Sequence, residues 1–537
     1  MIELTGQGVY GAIAAGPLKF IKRTTAPVVR RAGEPDAEWA RFEAAQAQAI
    51  AELADLHAQA LAEVGEQGAM VFEVHQMMVA DEDYCDSVRD ILAGERVNAE
   101  YAVSVTGSNF ARIFAEMDDP YMRERAADVH DISERLIRCL TGAAGVGIDA
   151  DAPVIVAADD LTPSETVQLD KSRLLGFVTA RGSTTSHSAI LARTLGIPAV
   201  VGVGELDEAL DGEYAVVNGF TGEVFVRPDE ATLATVLAAK AEAESRSELL
   251  QAYRGRPSVT QGGRQVELCA NIGSPGEVGA VLESDAEGVG LFRTEFGFME
   301  HESTPSEEDL FAAYKAVVEA LGDRRVVFRT LDVGADKQIP YLDLAPEENP
   351  ALGLRGLRLC LRRPEIFRTQ LRALLRAAAF GRVAIMFPMV ASLWEVQAAK
   401  ARVAEARAEL EAEGVAIGAT EIGIMIETPA AALISDQLAP EVDFFSIGTN
   451  DLTQYTLAVD RQHPDLAEFT DTHHEAVLRL IAQVAANAHA HGAWVGICGE
   501  LGADLTLTPR FVELGIDELS VAPASVLAIR ERICTLD

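Results

Sequence analysis

The sequence has few cysteines, few basic residues for its acidic content and no long hydrophobic run. The six cysteines are scattered without close pairing: Cys85, Cys139, Cys269, Cys360, Cys498 and Cys534. This spacing predicts neither a disulfide framework nor a zinc site, and it fits a reducing cytoplasm. No stretch reaches the roughly 18 apolar residues that a membrane span needs, and no basic segment precedes an apolar one at the start of the chain. Membrane insertion and secretion are therefore not expected.

The second shortage is of positive charge. Against 83 acidic residues there are only 45 lysines and arginines, which gives a formal net charge of −38. Such a surface is a poor partner for nucleic acid or for an anionic membrane, but it suits a basic protein. Surface acidity that serves solubility, or life in a saline habitat, is the plainer explanation. A small anionic substrate would need a site that gathers arginines locally.

At 537 residues the chain is too long for one core. Its character changes from Gly- and β-rich to Ala-rich and helical, and then back to strands. We therefore predict an α/β domain formed by residues 1–32 and 143–229, with a helical domain of residues 33–142 inserted into it. Residues 230–260 are predicted to form a linker helix, and residues 261–537 a separate domain. Predicted helices of the insert span 36–64, 70–92, 99–117 and 121–140.

The last domain alternates strands with helices. The predicted strands are 265–270, 288–293, 326–331, 383–387, 422–426, 444–447, 494–497 and 518–521. Eight such units indicate a (β/α)₈ barrel whose active site lies at the carboxyl ends of the strands. An open, doubly wound sheet is the alternative.

Residues that follow these strands share a chemical theme. A ligand bearing both phosphate and carboxylate could be held by five cationic side chains: Arg293, Arg329, Lys337, Arg355 and Arg461. Glu427 and Asp451 are carboxylates after neighbouring strands, and they suit Mg²⁺. For any single one of these residues a surface salt bridge is the alternative.

Two further residues suit catalysis. His187 stands where a hydroxyl-rich loop becomes a helix, and there it could carry a phosphoryl group facing free backbone N–H groups. A helix-entry residue bound to a neighbouring carbonyl is the alternative. Cys498 ends a strand beside the predicted anion site and could donate a proton to a carbanion-like carbon, although strand cysteines are commonly small buried hydrophobes.

Four segments carry a resemblance to a known family. They are Thr-Ser-His at 185–187, with the small-apolar segment that ends in Ala-Arg, and the blocks 286–296, 348–355 and 444–455. Together they resemble the Enzyme I family of the sugar phosphotransferase system, the phosphoenolpyruvate–protein phosphotransferases, from the Gly-rich start to about Val521.

The resemblance implies a swivelling phosphohistidine α/β domain with an inserted helical bundle, followed by a (β/α)₈ barrel. It implies that the four arginines, Lys337 and Asn450 bind phosphoenolpyruvate, and that Glu427 and Asp451 hold magnesium. His187 would accept the phosphoryl group, and Cys498 would protonate enolpyruvate. The phosphocarrier protein HPr would be the acceptor, and the barrel would form a homodimer.

The inserted domain is the expected docking platform for the carrier. It holds 23 acidic and 8 basic residues, and Met77, Met78 and Val79 precede the acidic run 81–83. An ordinary solvated bundle is the alternative, and His75 could either line the interface or be structural.

Two positions depart from the family pattern, and two related families share parts of it. Ser183 and Ala335 stand where the family has glycine. Pyruvate phosphate dikinase and phosphoenolpyruvate synthase share the histidine domain and the barrel, but they need an ATP-binding domain for which no segment is available. A non-enzymatic scaffold is disfavoured because every expected catalytic residue is present.

Overall fold

The protein is described from a computed structural model. It covers residues 1–537 except 22–27, 118–119, 144–151, 170–172, 183–188, 190–191, 194–195, 300, 302, 336–338 and 462. The chain divides into two compact units, Met1–Arg246 and Ser247–Asp537. Within the described residues, no helix is both long and apolar enough to cross a bilayer.

The first unit contains a mixed eight-stranded sheet in the order β1-β8-β7-β3-β4-β5-β6-β2. Its strands are β1 Ile2–Thr5, β2 Gln7–Tyr10, β3 Ile13–Phe20, β4 Val154–Ala158, β5 Leu174–Thr179, β6 Ala199–Val201, β7 Tyr214–Asn218 and β8 Glu223–Val226. Strands β3 to β6 are mutually parallel. Every residue of β4 is buried, as expected of a central strand covered on both faces. Because β3 pairs with β4, segments from both sides of the helical region share one sheet.

The helical region forms a bundle. Its helices are α1 Pro35–Val79, α2 Glu82–Glu95, α3 Ala99–Ala115 and α4 Pro120–Thr141. Its core holds Phe42, Leu53, Phe72 and Leu136 among other apolar side chains. The sheet unit also carries α5 Pro163–Gln168, and α6 Glu230–Gln251 contains the division between the two units.

One helix differs from the sequence prediction. The two predicted helices 36–64 and 70–92 do not break between residues 64 and 70, because α1 runs unbroken through Gly65 and Gly68. An interior glycine costs a helix only about 1 kcal/mol relative to alanine, which tertiary packing readily outweighs. The break lies instead at Asp81, whose side chain accepts a hydrogen bond from the Tyr84 N–H and caps α2.

The second unit is a closed barrel of eight parallel strands. They are β9 Glu267–Ile272, β10 Gly288–Arg293, β11 Val326–Arg329, β12 Val383–Phe387, β13 Thr420–Ile426, β14 Phe444–Ile447, β15 Trp494–Ile497 and β16 Glu518–Val521. β16 pairs with β9, which excludes the open doubly wound sheet. The predicted fold class is thereby confirmed.

Helices surround this barrel. They are α7 Val278–Glu283, α8 Glu295–Met299, α9 Glu307–Leu321, α10 Leu357–Arg362, α11 Pro364–Ala377, α12 Leu393–Ala412, α13 Pro429–Leu433, α14 Ser435–Leu438, α15 Thr449–Leu457, α16 Glu475–Ala490, α17 Thr508–Leu514 and α18 Val526–Cys534. Local signals begin several of them. At α9, for example, Ser306 and Asp309 form a reciprocal capping box. One apolar cluster fills the space between strands and helices, and a smaller one, which includes Val327, Met386 and Cys498, fills the barrel itself.

Candidate active site at the carboxyl end of the barrel

The predicted site residues of the barrel lie at the carboxyl ends of its strands. Arg293 is the last residue of β10 and Arg329 the last of β11, and the two are partners in the strand register. Glu427 directly follows β13, and Cys498 directly follows β15. Asn450 and Asp451 lie in the first turn of α15, two and three residues beyond the Gly448 that follows β14. Because parallel strands end at the same side of a barrel, these residues surround one opening, which we call the barrel mouth.

Two of the arginines are buried and share a carboxylate. Asp332 Oδ2 lies 3.1 Å from Arg329 Nη1 and 3.1 Å from Arg355 Nη2. Arg329 also donates to Glu295 Oε1 at 2.5 Å through Nη2. Burial by itself would lower the pKa of both guanidinium groups, but the neighbouring carboxylates outweigh it and raise the pKa. Both groups are therefore charged and fixed in direction before any ligand arrives.

The other two described arginines are exposed. Arg293 carries no described ion pair within the part of the chain that the structure covers, and Arg461 Nη2 lies 3.8 Å from Asp451 Oδ2. Asn450 uses Oδ1 to accept from the Glu500 N–H at 2.9 Å, so its amide NH₂ is the group left for a ligand oxygen. The mouth thus combines fixed and adaptable donors.

Glu427 and Asp451 form a buried acidic pair beside these arginines. Glu427 Oε1 accepts a 2.6 Å hydrogen bond from the Met389 N–H. Its Oε2 and the Oδ1 of Asp451 have no hydrogen-bond partner, although both atoms are buried. Burial, then the charges of Asp451 and Asp332, raise the pKa of Glu427 to about 8 against the opposing effect of Arg329. A cation between the two carboxylates would bind the unsatisfied oxygens and would offset the cost of keeping two negative charges buried side by side.

The backbone leaves space for this pair. A Cβ on Gly448 would lie 3.0 Å from Glu427 Oε2, so a larger residue there would displace the carboxylate by a few tenths of an ångström. Within the described residues, no group of three or more His, Cys, Asp or Glu side chains is arranged as a metal site. Two carboxylates with substrate oxygens are nevertheless a usual ligand set for Mg²⁺.

Cys498 is buried within the mouth. Its Sγ lies 3.7 Å from the carbonyl oxygen of Ile447, and the Cys498 carbonyl oxygen accepts a 3.0 Å hydrogen bond from Asn271 Nδ2. Burial, together with the nearby negative charge of Glu427, raises the pKa of the thiol to about 11. At neutral pH the group is a thiol that retains its proton.

Three predicted positions cannot be placed. His187, Lys337 and Ser183 lie outside the described residues. The described site residues, Arg293, Arg329, Arg355, Asn450, Arg461, Glu427, Asp451 and Cys498, all belong to the barrel unit.

Three important residues were missed by sequence reasoning. Glu295 and Asp332 fix Arg329, and their only sequence signal is a carboxylate two or three residues after an arginine that ends a strand. Met389 has a left-handed backbone, with φ 58°, while its N–H binds Glu427. No sequence pattern marks a methionine for that conformation, which is uncommon outside glycine.

The expected docking patch on the helical insert requires a correction. Met77 is 65% exposed, but Val79 is fully buried in the bundle core and cannot form part of a surface patch. His75 is also fully buried, with Nε2 3.1 Å from Asp128 Oδ1 and Nδ1 3.7 Å from Asp131 Oδ2. Helical periodicity turns positions 75 and 79 inward together, so His75 has the structural role.

Comparison with known proteins gives matches along nearly the whole chain. Models of PEP-utilising enzymes match three segments: the N-terminal model residues 5–125, the mobile-domain model residues 150–222 and the PEP-binding-domain model residues 247–537. The phosphoenolpyruvate-protein phosphotransferase of Staphylococcus carnosus (strain TM300) is 44% identical, over 94% of this chain and 88% of that protein. The protein of the same name from Bacillus subtilis (strain 168) is 42% identical, over 100% of this chain and 95% of that protein.

Among solved structures, a solution structure of Enzyme I covers 45% of this chain and 99% of that chain at 33% identity, with a TM-score of 0.37. The PEP-binding model alone matches more than half of the sequence, and the curated relatives align with the barrel and the helical region alike. This chain belongs to the phosphoenolpyruvate-protein phosphotransferase family of PEP-utilising enzymes.

Proposed function

We propose that this chain transfers the phosphoryl group of phosphoenolpyruvate to its own His187 and then to a histidine of the phosphocarrier protein HPr, releasing pyruvate. This is the first step of sugar uptake by the phosphotransferase system, and a cytoplasmic location goes with it. The observation that carries the proposal is the pair of buried guanidinium groups, Arg329 and Arg355, held by Asp332 at the barrel mouth. The names of the curated relatives support the same reaction.

The substrate is a small anion with a phosphate and a carboxylate. In this proposal Arg329 and Arg355 bind the phosphoryl oxygens, because their positions are fixed in advance by ion pairs. The exposed Arg293 and Arg461, together with the Asn450 amide and Lys337, complete the set of donors. Fixed positive charge around the phosphoryl group stabilises its transfer more than covalent assistance does.

Glu427 and Asp451 would hold the divalent cation, which we propose is Mg²⁺. The observation that fits it is that Glu427 Oε2 and Asp451 Oδ1 are buried without a hydrogen-bond partner. The ion would supply charge neutralisation at the phosphoryl oxygens. The Met389 N–H fixes Glu427, and Gly448 leaves space for its second oxygen.

Neutral His187 would attack the phosphorus in line through a ring nitrogen, and the bond from phosphorus to the enolate oxygen would break. Cys498 would then give its proton to the methylene carbon of enolpyruvate and become a thiolate, which regains a proton from water. A thiol with a pKa near 11 keeps that proton available at neutral pH. His187 belongs to the first unit by sequence and the barrel site to the second, so we propose that a hinge motion brings the histidine to the phosphate.

The helical insert would dock HPr. Met77 is exposed, and the acidic residues Asp81, Glu82 and Asp83 beside it are exposed as well. This apolar point with an acidic rim would attract a basic partner surface. We further propose that the barrel forms a homodimer.

The test is incubation with radiolabelled phosphoenolpyruvate and Mg²⁺, followed by addition of HPr. Acid-labile label on the wild type, absent from His187→Ala and passed to HPr, is expected. His489→Ala is the matched control, because His489 is bound to Asp517 at 2.8 Å at the opposite end of the barrel. Label arriving from ATP instead would favour a dikinase, and no label on a folded wild type would favour a scaffold.

A further inference from the structure

Gln370 is a fully buried amide on α11, behind the ends of β10 and β11. A side-chain amide has two donor hydrogens and one acceptor oxygen, and it is costly to bury unless these are satisfied. Gln370 has three partners at hydrogen-bond distance, and they lie on three different segments: the connection after β10, the connection after β11, and α9.

Two of its bonds reach the segments that carry substrate-binding groups. Its Oε1 accepts from the Leu331 N–H at 3.0 Å, and its Nε2 donates to Thr294 Oγ1 at 2.9 Å. The third bond runs from Nε2 to the Tyr314 hydroxyl of α9 at 3.1 Å. Because a backbone N–H can only donate, the Leu331 bond fixes the orientation of the amide.

The network continues to the arginine itself. The Thr294 hydroxyl donates its hydrogen to the Arg329 carbonyl at 2.7 Å, so it accepts from Gln370. Thr294 lies between Arg293 and Glu295, and Leu331 lies between the Arg329 strand end and Asp332. One amide therefore joins the two chain segments that supply the cationic groups and their carboxylate partners.

Register explains why such a tie is needed. Arg293 and Arg329 form the last paired position between β10 and β11. Past that pair, among the described residues, the Thr294 and Gln370 side chains connect the two segments in place of ladder bonds. A shift of about 1 Å in one segment would separate groups that must bind the same anion, and misplacement of that size can cost about a hundredfold in rate.

We propose that Gln370 is a positioning residue, which fixes the spacing of Arg293, Arg329 and Asp332 by hydrogen-bonding Thr294 and the Leu331 N–H at once. It does not touch the substrate. This inference rests on the proposed function, since it concerns the same phosphoenolpyruvate site.

The test uses the full chain with phosphoenolpyruvate and HPr, following pyruvate release. Gln370→Leu, which keeps the volume but loses all three bonds, is expected to raise KM for phosphoenolpyruvate about tenfold or more. KM for HPr is expected to stay within about twofold of wild type. Two controls should leave both KM values unchanged. Leu374→Ala removes core packing one turn further along α11, and Gln483→Leu removes an amide bound to the carbonyls of Ala432 and Leu433.

Gln370→Glu supplies a readout that mere destabilisation would not move, and it serves if the leucine variant fails to fold. The introduced carboxyl group can donate to Thr294 only while protonated, and burial favours that form. KM for phosphoenolpyruvate should therefore be near the wild-type value in mild acid and rise more steeply with pH than in wild type.

Three outcomes would overturn the inference: an unchanged KM in Gln370→Leu, an equal rise in Leu374→Ala, or a pH profile of Gln370→Glu parallel to wild type. Arg329→Met separates this failure from failure of the proposed function. If wild type is active and Arg329→Met is not, the reaction stands whatever Gln370 does. If Arg329→Met retains full activity, the site assignment itself fails.

Discussion

Two arginines at one register position have different surroundings, and this difference decides what each substitution would do. Arg329 is buried between Glu295 and Asp332, whereas Arg293 is exposed. A buried guanidinium both binds ligand and neutralises its neighbours. An exposed one contributes to binding alone.

Arg329→Met should therefore abolish labelling from phosphoenolpyruvate and also lower the free energy of unfolding by about 3–5 kcal/mol, because the buried Glu295 loses its ion pair with Arg329 and Asp332 loses one of the two arginines that it bridges. Arg293→Met should weaken phosphoenolpyruvate binding with a stability change of about 0.5 kcal/mol or less. Urea unfolding and KM measured on both variants check this. Equal destabilisation by the two substitutions would contradict the difference in burial.

At the scale of elements, the helical insert is held partly by buried charge. Asp128 on α4 accepts a hydrogen bond from His75 of α1 at 3.1 Å and a second one from Arg125 at 2.9 Å. Burial alone would raise the pKa of Asp128, but the hydrogen bond and charge of His75, and then those of Arg125, outweigh it and hold the pKa below its ordinary value. The ionised form is thus the one that binds α4 to α1.

The sign of the pH dependence follows from this lowered pKa. The stabilisation is fully present above about pH 4 and is lost as pH falls through the lower native value. Asp128→Asn should lower the stability of the bundle at neutral pH by about 1.5–3 kcal/mol and flatten its acid dependence. Hydrogen exchange of the α1 and α4 amides at neutral and acid pH measures both effects.

A surface carboxylate provides the comparison. Asp86 lies 3.2 Å from Arg89 and is exposed, so Asp86→Asn should change little at either pH. If Asp86→Asn and Asp128→Asn behaved alike, burial would not be the cause.

At the scale of the whole barrel, the two ends have different tasks. The carboxyl end holds the candidate site, whereas the amino end is closed by Arg325. Its guanidinium binds Glu267 of β9 at 2.5 Å and Glu518 of β16 at 2.7 Å, and it lies 4.0 Å from the centre of the Trp494 ring on β15. One side chain therefore ties three strands, including the pair that completes the barrel.

Arg325→Met should destabilise the barrel by about 3–5 kcal/mol and leave KM for phosphoenolpyruvate unchanged. Burial raises the pKa of Glu518 to about 7, and Arg325 opposes that rise. Without Arg325 the carboxyl group of Glu518 in the native protein would hold its proton to higher pH. The loss of stability should therefore be larger at about pH 8.5 than at about pH 6. Urea unfolding at both pH values measures it.

Arg382→Met is the matched control, since Arg382 is exposed and 3.9 Å from Glu421 at the same end. A change in KM caused by Arg325→Met would show that the two ends are coupled.

The sequence was sufficient for the fold class and for the carboxyl ends of six of the eight barrel strands, whereas β9 ends two residues later than predicted and β11 two residues earlier. The strands Gly288–Arg293, Val383–Phe387 and Trp494–Ile497 have their predicted bounds, because each is an apolar run that is followed by a polar residue, a proline or a glycine-containing turn. The location of Arg293, Glu427 and Cys498 at one mouth then follows from the parallel topology. The local apolar pattern determines the strand bounds, and the rule that parallel strands end at one side of a barrel determines where the site residues gather.

Tertiary structure alone decided how the groups at that mouth are held. The Asp332 bridge, the Met389 N–H on Glu427 and the Gln370 amide each join segments that are distant in the chain or lack any periodic signal. Tertiary structure also turned His75 and Val79 inward and carried α1 through two glycines. Periodicity shows which residues share a face, but their partners depend on packing between elements, and that is decided only when the whole chain folds.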